Sequence, residues 1–195
     1  MNKDFGHEAR LIRKIAAGGD LEKALRKAVK VLAEHQIPHL VCGGFVVQEL
    51  GYPRSTKAVD IIVPDRRRAR SLLLANGFLQ SDKAPMVLVD AESEGEIDLL
   101  PGGKKRTGQE VLSLPMPQEV SFEPRLLSLI DLITHKLSAG RSRDFADVVA
   151  LIKANGLPEK YPIDQAVADE YHSGWNVAAA EQAVEGLMRR DDEDE

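Results

Sequence analysis

The chain has 195 residues, a net charge of -5 and an apolar fraction of 43%, which suffices for one domain with a packed core, or one domain plus a small helical appendage. The acidic balance excludes the overall basic field of a protein dedicated to non-specific nucleic-acid contact, but not a local basic patch. A single cysteine excludes an intramolecular disulfide and a cysteine-based zinc site. Because no signal-peptide-like stretch or membrane-length apolar run occurs, we expect a cytoplasmic protein without a membrane partner.

The first half of the chain predicts alternating helices and strands. Apolar spacing and glycine or proline breaks indicate, in chain order, helix 7–17, helix 20–35, a buried strand over 37–42, helix 45–50, strand 57–63 and helix 65–76. Asp20 is the expected N-cap of the second helix. Two further strands, 86–89 and 96–100, flank an acidic turn and predict a hairpin.

The second half becomes helical after a proline-containing loop over 104–124, in which a short strand is expected at 120–122. The helices predicted after that loop are 126–137, 142–154, 163–171 and 175–189. The five acidic residues 191–195 are expected to form a disordered tail. The predicted fold is therefore α+β: a mixed sheet of about four or five strands flanked by helices over 1–124, and a C-terminal helical lobe over 125–190.

Three features of this order carry chemistry. Gly43 and Gly44 lie between a strand and a helix, where backbone N–H groups can approach a phosphate. Asp60 and Asp98 each interrupt an apolar strand. Either aspartate alone is more simply explained as a solvated or capping residue, but two carboxylates on neighbouring strands can together hold a divalent cation that also binds a triphosphate.

The glycine pair, the stretch from Arg54 through Thr56 to Asp60, and Asp98 together resemble the nucleotidyltransferase superfamily. They look most like its minimal bacterial members, including toxin-like proteins of the abortive-infection type. The stretch 131–147, with its Lys, Arg and Asp residues, is similar to the helical lobe of that family.

The resemblance implies a magnesium or manganese ion held by Asp60 and Asp98, which would be the catalytic carboxylates. It also implies a nucleoside triphosphate, with contacts from the residues Gly43, Gly44, Arg54, Thr56, Lys136 and Arg143. A toxin–antitoxin role and an RNA or protein acceptor would fit such a protein; the oligomeric state stays open.

One position departs from the family pattern. In the family a pair of aspartates, two residues apart, occupies the first strand. Here the pair would be Ala58 and Asp60, or Asp60 and Ile62 in the other register, and either register leaves one carboxylate on the strand. Alanine offers no metal ligand, so two of three expected carboxylates remain. Glu96 or Glu49 is a further candidate for the missing ligand, and Glu96 shares a strand face with Asp98.

Several basic and acidic residues have simpler interpretations. Lys136 is as easily a surface lysine as a triphosphate contact, and Arg141 is a further candidate phosphate ligand. Asp144 and Asp147 are more simply a helix-dipole partner and an arginine partner. The basic runs 104–106 and 66–70 could form a local RNA-binding patch.

Two functions from different classes therefore follow. The first is a nucleotidyltransferase that binds a nucleoside triphosphate with magnesium and transfers a nucleotidyl group to a hydroxyl acceptor. The second is a catalytically degenerate module of the same fold that binds a protein partner, a hypothesis motivated by Ala58.

Overall fold

The computed structural model describes residues 19–82, 84–103, 114–139 and 141–156. The helices in this part of the chain are α1 (Leu21–Glu34), α2 (Gly43–Glu49), α3 (Arg66–Ala75), α4 (Leu129–Ala139) and α5 (Ser142–Asn155). The strands are β1 (Leu40–Cys42), β2 (Ala58–Val63), β3 (Phe78–Gln80), β4 (Val87–Asp90) and β5 (Glu96–Pro101). The helices predicted at 7–17, 163–171 and 175–189 and the acidic tail lie outside the described residues.

The five strands form one sheet in the order β1-β2-β5-β4-β3. Strands β2 and β5 are parallel, and the other three pairings are antiparallel. The chain segment between β2 and β5 contains α3 and then β3 and β4, so the parallel pair is joined by a long crossover. A mixed five-stranded sheet flanked by helices confirms the predicted fold class.

Most predicted elements occur with boundaries shifted by a few residues, and Asp20 caps α1 by accepting a hydrogen bond from the backbone N–H of Lys23. One strand was missed, and one predicted strand was wrong. Strand β3 was missed because it has only three residues and directly follows a helix. No strand occurs at 120–122; instead the backbone near Leu126 forms an isolated parallel bridge with Val41 of β1.

The two faces of the sheet have different environments. Side chains alternate along a strand, and those of Val59, Ile61, Ile97 and Leu99 are fully buried. Helices α1 and α3 contact β5 and cover this face. Ala58 and Glu96 lie on the other face and are half-buried. The second face is therefore only partly covered, and that is where the candidate site lies.

The segment before α4 ties the helical pair α4–α5 to the sheet. The N–H of Val41 donates to the carbonyl of Arg125 at 2.7 Å, and the N–H of Leu127 donates to the carbonyl of Val41 at 2.8 Å. At the other end of the pair, the Asn155 amide donates to the carbonyl of Leu50 at 2.8 Å. The predicted domain boundary near residue 124 stays a prediction.

Within the described residues, no helix combines the length and the apolar character needed to cross a membrane.

Candidate nucleotide and cation site

Asp60 and Asp98 lie side by side on the partly covered face of the sheet. Their Cα atoms are direct partners in the parallel register of β2 and β5. Neighbouring strands are about 4.8 Å apart, and residues in register point to the same face. Both side chains are half-buried. The sheet therefore brings together the two carboxylates that the sequence singles out.

Neither carboxylate is neutralised by a cation within the described part of the chain. No hydrogen bond or ion pair joins Asp60 or Asp98 to another residue there, whereas the other half-buried or buried aspartates do have such partners, as Asp90 does with Lys27 at 2.6 Å. Burial and the negative charge of Asp98 raise the pKa of Asp60 to about 7, although Lys136, Arg141 and Arg54 partly oppose the rise. Burial also raises the pKa of Asp98, and Arg66 opposes that shift.

The raised pKa of Asp60 makes the free energy of unfolding depend on pH. Because the pKa of Asp60 is higher in the folded chain than its ordinary value of 3.8, folding favours its protonated form. The associated stability is fully present below about pH 4 and is lost as the pH rises through about 7. At neutral and higher pH the ionised pair is a local electrostatic cost, which a bound cation would relieve.

The glycine turn makes room for two side chains of the site. Gly43 has a φ of +72°, and a Cβ atom placed there would lie 1.7 Å from Asp60 Oδ2. A Cβ at Gly44 would lie 2.6 Å from Arg54 Nη2 and 2.8 Å from Thr56 Oγ1. Both glycines belong to the first turn of α2. Their lack of side chains therefore lets Asp60 and Arg54 pack directly on the turn.

A buried ion-pair network links α4 to α5. Lys136 is 4% exposed, and its Nζ donates to Asp147 Oδ2 at 2.5 Å and to Asp144 Oδ1 at 3.2 Å. Both aspartates are also buried. The interpretation of Lys136 as a surface lysine is therefore wrong. Asp144 lies in the first turn of α5, as expected of a helix-dipole partner, and Asp147 pairs with an arginine as expected.

Two arginines complete this network at the edge of the site. Arg54 Nη2 donates to Asp147 Oδ2 at 3.1 Å. Arg54 Nε lies 2.8 Å from Asp147 Oδ1 as an ion pair, without the alignment of a hydrogen bond. Arg141 Nη2 donates to Asp144 Oδ1 at 3.1 Å, and its side chain is 62% exposed. Asp144 and Asp147 thus hold three cations beside the unneutralised pair.

Three further residues lie around this centre in different ways. Thr56 is nearly buried, and its hydroxyl donates to the carbonyl of Ala58 at 3.0 Å, so it fixes the start of β2. Arg143 is exposed on α5 and is not part of the described ion-pair network. Cys42 pairs in register with Asp60, and burial raises the pKa of its thiol well above the usual value, so it stays protonated and unreactive.

Arg66 also influences the electrostatics of the site, although no sequence motif assigned it there. It is the first residue of α3, which begins just after β2, and its charge acts on Asp98. In the sequence Arg66 appears only as one of several arginines in a basic run. The signal that could have found it is its place directly after the strand that carries Asp60.

The residues present fit one divalent cation better than two. Magnesium binds through one or two carboxylates together with phosphate oxygens and water, which Asp60 and Asp98 can accommodate. Ala58 faces Glu96 in the register of β2 and β5. Within the described residues, however, no group of three His, Cys, Asp or Glu side chains is placed to share a metal. Neither Glu96 nor Glu49 completes the set in this arrangement.

Comparison with known proteins leaves the family open. No protein-family model matches the chain, and no curated protein matches it. The crystal structure of ANT(2'')-Ia in complex with adenylyl-2''-tobramycin has a TM-score of 0.46 and 12% identity, and covers 82% of this chain and 97% of that one. The solution structure of the antibiotic-resistance factor ANT(2'')-Ia has a TM-score of 0.47 and 11% identity, and covers 88% and 96%.

Both neighbours are structures of ANT(2'')-Ia, one of them in complex with adenylyl-2''-tobramycin. At these TM-scores and identities the likeness assigns neither a family nor an activity to this chain.

Gly43→Ala should destabilise the protein through two separate effects. The left-handed backbone at this position disfavours a side chain by about 1–3 kcal/mol, and the new methyl group also displaces the Asp60 carboxylate. Gly51→Ala is the matched control, because Gly51 has a φ of +100° while its added Cβ would meet only Ala154 at 3.5 Å. Urea unfolding should show a larger loss for Gly43→Ala. The excess should vanish when Asp60 is also changed to Gly; equal losses for the two alanine variants would contradict the packing of Asp60 on the turn.

Lys136→Met should cost about 1–3 kcal/mol of unfolding free energy, because two buried carboxylates lose their shared cation and keep one arginine each. The matched control is Lys30→Met on α1, whose lysine side chain is 70% exposed. That control should change stability by no more than about 0.5 kcal/mol. Denaturant midpoints measure both, and similar values for the two variants would show that the network contributes little.

Proposed function

We propose that this chain binds a nucleoside triphosphate together with one magnesium or manganese ion and transfers a nucleotidyl group to a hydroxyl acceptor. The observation that carries the proposal is the in-register pair of Asp60 and Asp98, which has no cation partner in the described part of the chain. Ionised carboxylates held together without neutralisation are costly, and such pairs occur where a ligand supplies the missing charge.

The basic residues beside the pair support an anionic ligand. Arg54 and Arg141 lie near enough to Asp60 to lower its pKa, and each is oriented by an aspartate. Arginine side chains held in this way suit phosphate oxygens, because the guanidinium group can donate two parallel hydrogen bonds. Arg141 reaches solvent and is therefore the best-placed phosphate ligand.

Lys136 supports the site in a different way. With 4% exposure and two carboxylate partners it has little surface left for a nucleotide. It holds Asp144 and Asp147, which in turn hold the two arginines. In the proposed function Lys136 is a positioning residue first, and direct contact with the triphosphate would require Asp144 or Asp147 to release it.

The proposed reaction follows from this arrangement. The acceptor hydroxyl oxygen forms a bond to the α-phosphorus, the bond between the α-phosphorus and the bridging oxygen breaks, and pyrophosphate leaves in line. The hydroxyl proton passes to a carboxylate base, for which Asp98 is the candidate because it lies beside Asp60 on the partly covered face of the sheet. A divalent cation held by Asp60 and Asp98 would supply charge neutralisation for the phosphates. The arginines would stabilise the charge that develops on the transferred group.

Ala58 favours a second candidate function. Where a second carboxylate would complete the set on β2, the chain has a methyl group. The alternative is therefore a module that keeps the fold and binds a protein partner without catalysis, for instance as one member of a toxin–antitoxin pair. The cytoplasmic location and the toxin-like subtype are likewise proposals for this chain.

Thermal unfolding with each nucleoside triphosphate, with and without magnesium, distinguishes the two. A nucleotide at 100 times its dissociation constant stabilises the folded state by about 2.7 kcal/mol, a shift of several degrees. We expect the native protein to shift only when nucleotide and metal are present together. Ala58→Asp should enlarge the shift, and Asp98→Asn, the isosteric control, should abolish it.

A shift restricted to Ala58→Asp would support the degenerate module, since the fold would then retain the site without natural binding. No shift in either protein with any nucleotide would show that the proposed function is wrong. An equal shift for native protein and Asp98→Asn would place the nucleotide elsewhere.

A further inference from the structure

The sheet face that carries the candidate site also holds an apolar patch on its outer strands. Register partners point to the same face, so Leu79 of β3 and Val89 of β4 lie in one row with Glu96 of β5. Val87 lies in the next row, beside Asp98. Leu79 is 57% exposed, and the two valines are half-buried. These three apolar residues, Leu79, Val87 and Val89, form the β3–β4 patch.

The described helix that packs on these strands lies on the other face of the sheet. Helix α3 contacts both β3 and β4. Phe78 and Leu88, which alternate with the patch residues along their strands, are fully buried on that side. On the side of the patch, Glu96 and Asp98 supply two carboxylates as a polar border. A contiguous apolar group with a polar border is typical of an interaction surface, and this border favours a basic partner.

The chain enters α1 at the border of this patch. The N–H of Asp20 donates to the carbonyl of Ser93 at 2.8 Å. A Cβ atom placed at Gly19 would overlap the backbone carbonyl of Glu94. Both contacts are made to the turn that joins β4 to β5, directly beside the first row of the patch. The residues that precede Gly19 are therefore tethered at the end of the sheet where the patch begins.

The helix predicted at 7–17, which lies outside the described residues, is complementary to the patch in its sequence. Three apolar residues recur at helical spacing and share one side of that helix: Leu11, Ile12 and Ile15. Three basic residues share the opposite side: Arg10, Arg13 and Lys14. Eleven helical residues extend about 16 Å. The distance from β3 across β4 to β5 is about 10 Å, so a helix of this length can cover the patch.

We propose that the helix 7–17 folds back at Gly18 and Gly19 and docks on the β3–β4 patch of its own chain. The two glycines permit the reversal of the backbone. The apolar side of the helix packs on Leu79 and the two valines. Long basic side chains at the border of that side reach the carboxylate of Glu96. The docked helix then forms the wall of the candidate site beside Asp98, on the side of β4.

Amide hydrogen exchange of the full chain, read by mass spectrometry, tests the docking. An isolated helix of this length is marginal in water, so protection of its amides reports contact with the rest of the protein. The amides of 7–17 should exchange at least about tenfold more slowly than the same sequence without structure. Leu79→Asp should remove most of that protection, because the apolar side of the helix would then bury a charge. Native protein with no protection of 7–17 would overturn the proposal.

Leu126→Asp is the matched control for a charge placed on an exposed leucine. Leu126 is 39% exposed and lies beside β1, at the opposite edge of the sheet from β3. This variant should leave the exchange of 7–17 within about twofold of the native rate. The amides of α1 should keep their native rates in both variants, which excludes general unfolding as the cause. Equal loss of protection in the two variants, or none in Leu79→Asp, would overturn the proposal.

Chemical crosslinking of the full chain with a short bis-maleimide identifies the occupant independently of stability. The double variants Leu79→Cys/Ile12→Cys and Leu79→Cys/Ile15→Cys place one thiol on the patch and one on the helix, while the native Cys42 is buried. At least one of them should crosslink within a single chain, and Leu126→Cys/Ile12→Cys should not. Crosslinks between two chains that increase with protein concentration would overturn the proposal in favour of a second copy. Absence of a crosslink in both patch variants would also overturn it.

Discussion

The structure depends on an imbalance of charge at the point where β2 and β5 run side by side. Asp60 and Asp98 lie in register without a cation partner in the described part of the chain. The three cations that influence Asp60, namely Lys136, Arg141 and Arg54, are instead held by Asp144 and Asp147. The helical pair α4–α5 therefore keeps the basic groups close to the acidic pair but does not let them neutralise it.

By holding the basic groups, the helical pair α4–α5 keeps them from neutralising the acidic pair of the sheet. If Arg54 paired directly with Asp60, the site would be closed by its own side chains, and no ligand would be needed to balance it. Because Asp147 holds Arg54 instead, the acidic pair stays available to a cation, while Arg141, which reaches solvent, stays available to an anion. A metal–triphosphate complex combines those two charges in one ligand.

Much of this arrangement could be predicted from the sequence because it follows from local patterns. The alternation of β2 predicts that Asp60 faces away from Val59 and Ile61, and the order of the motifs predicts that Asp98 lies nearby. Other features depend on tertiary contacts that no local pattern encodes. The burial of Lys136, its sharing by two aspartates of α5, and the effect of Arg66 on Asp98 appear only when the elements are packed. The glycines were expected to let backbone N–H groups approach a phosphate; in the structure the side chains of Asp60 and Arg54 lie against them, and the phosphate contact stays a prediction.

The most direct test of the unneutralised pair is a carboxyl-carbon NMR titration of protein labelled at aspartate, with Asp60→Asn to assign the signal. Without metal, Asp60 should titrate near pH 7. With magnesium and a nucleoside triphosphate that cannot be hydrolysed, the pKa should fall, because a bound cation favours the ionised form. An Asp60 signal that titrates near its ordinary pKa of 3.8 in both conditions would contradict the central claim that this pair requires a cation.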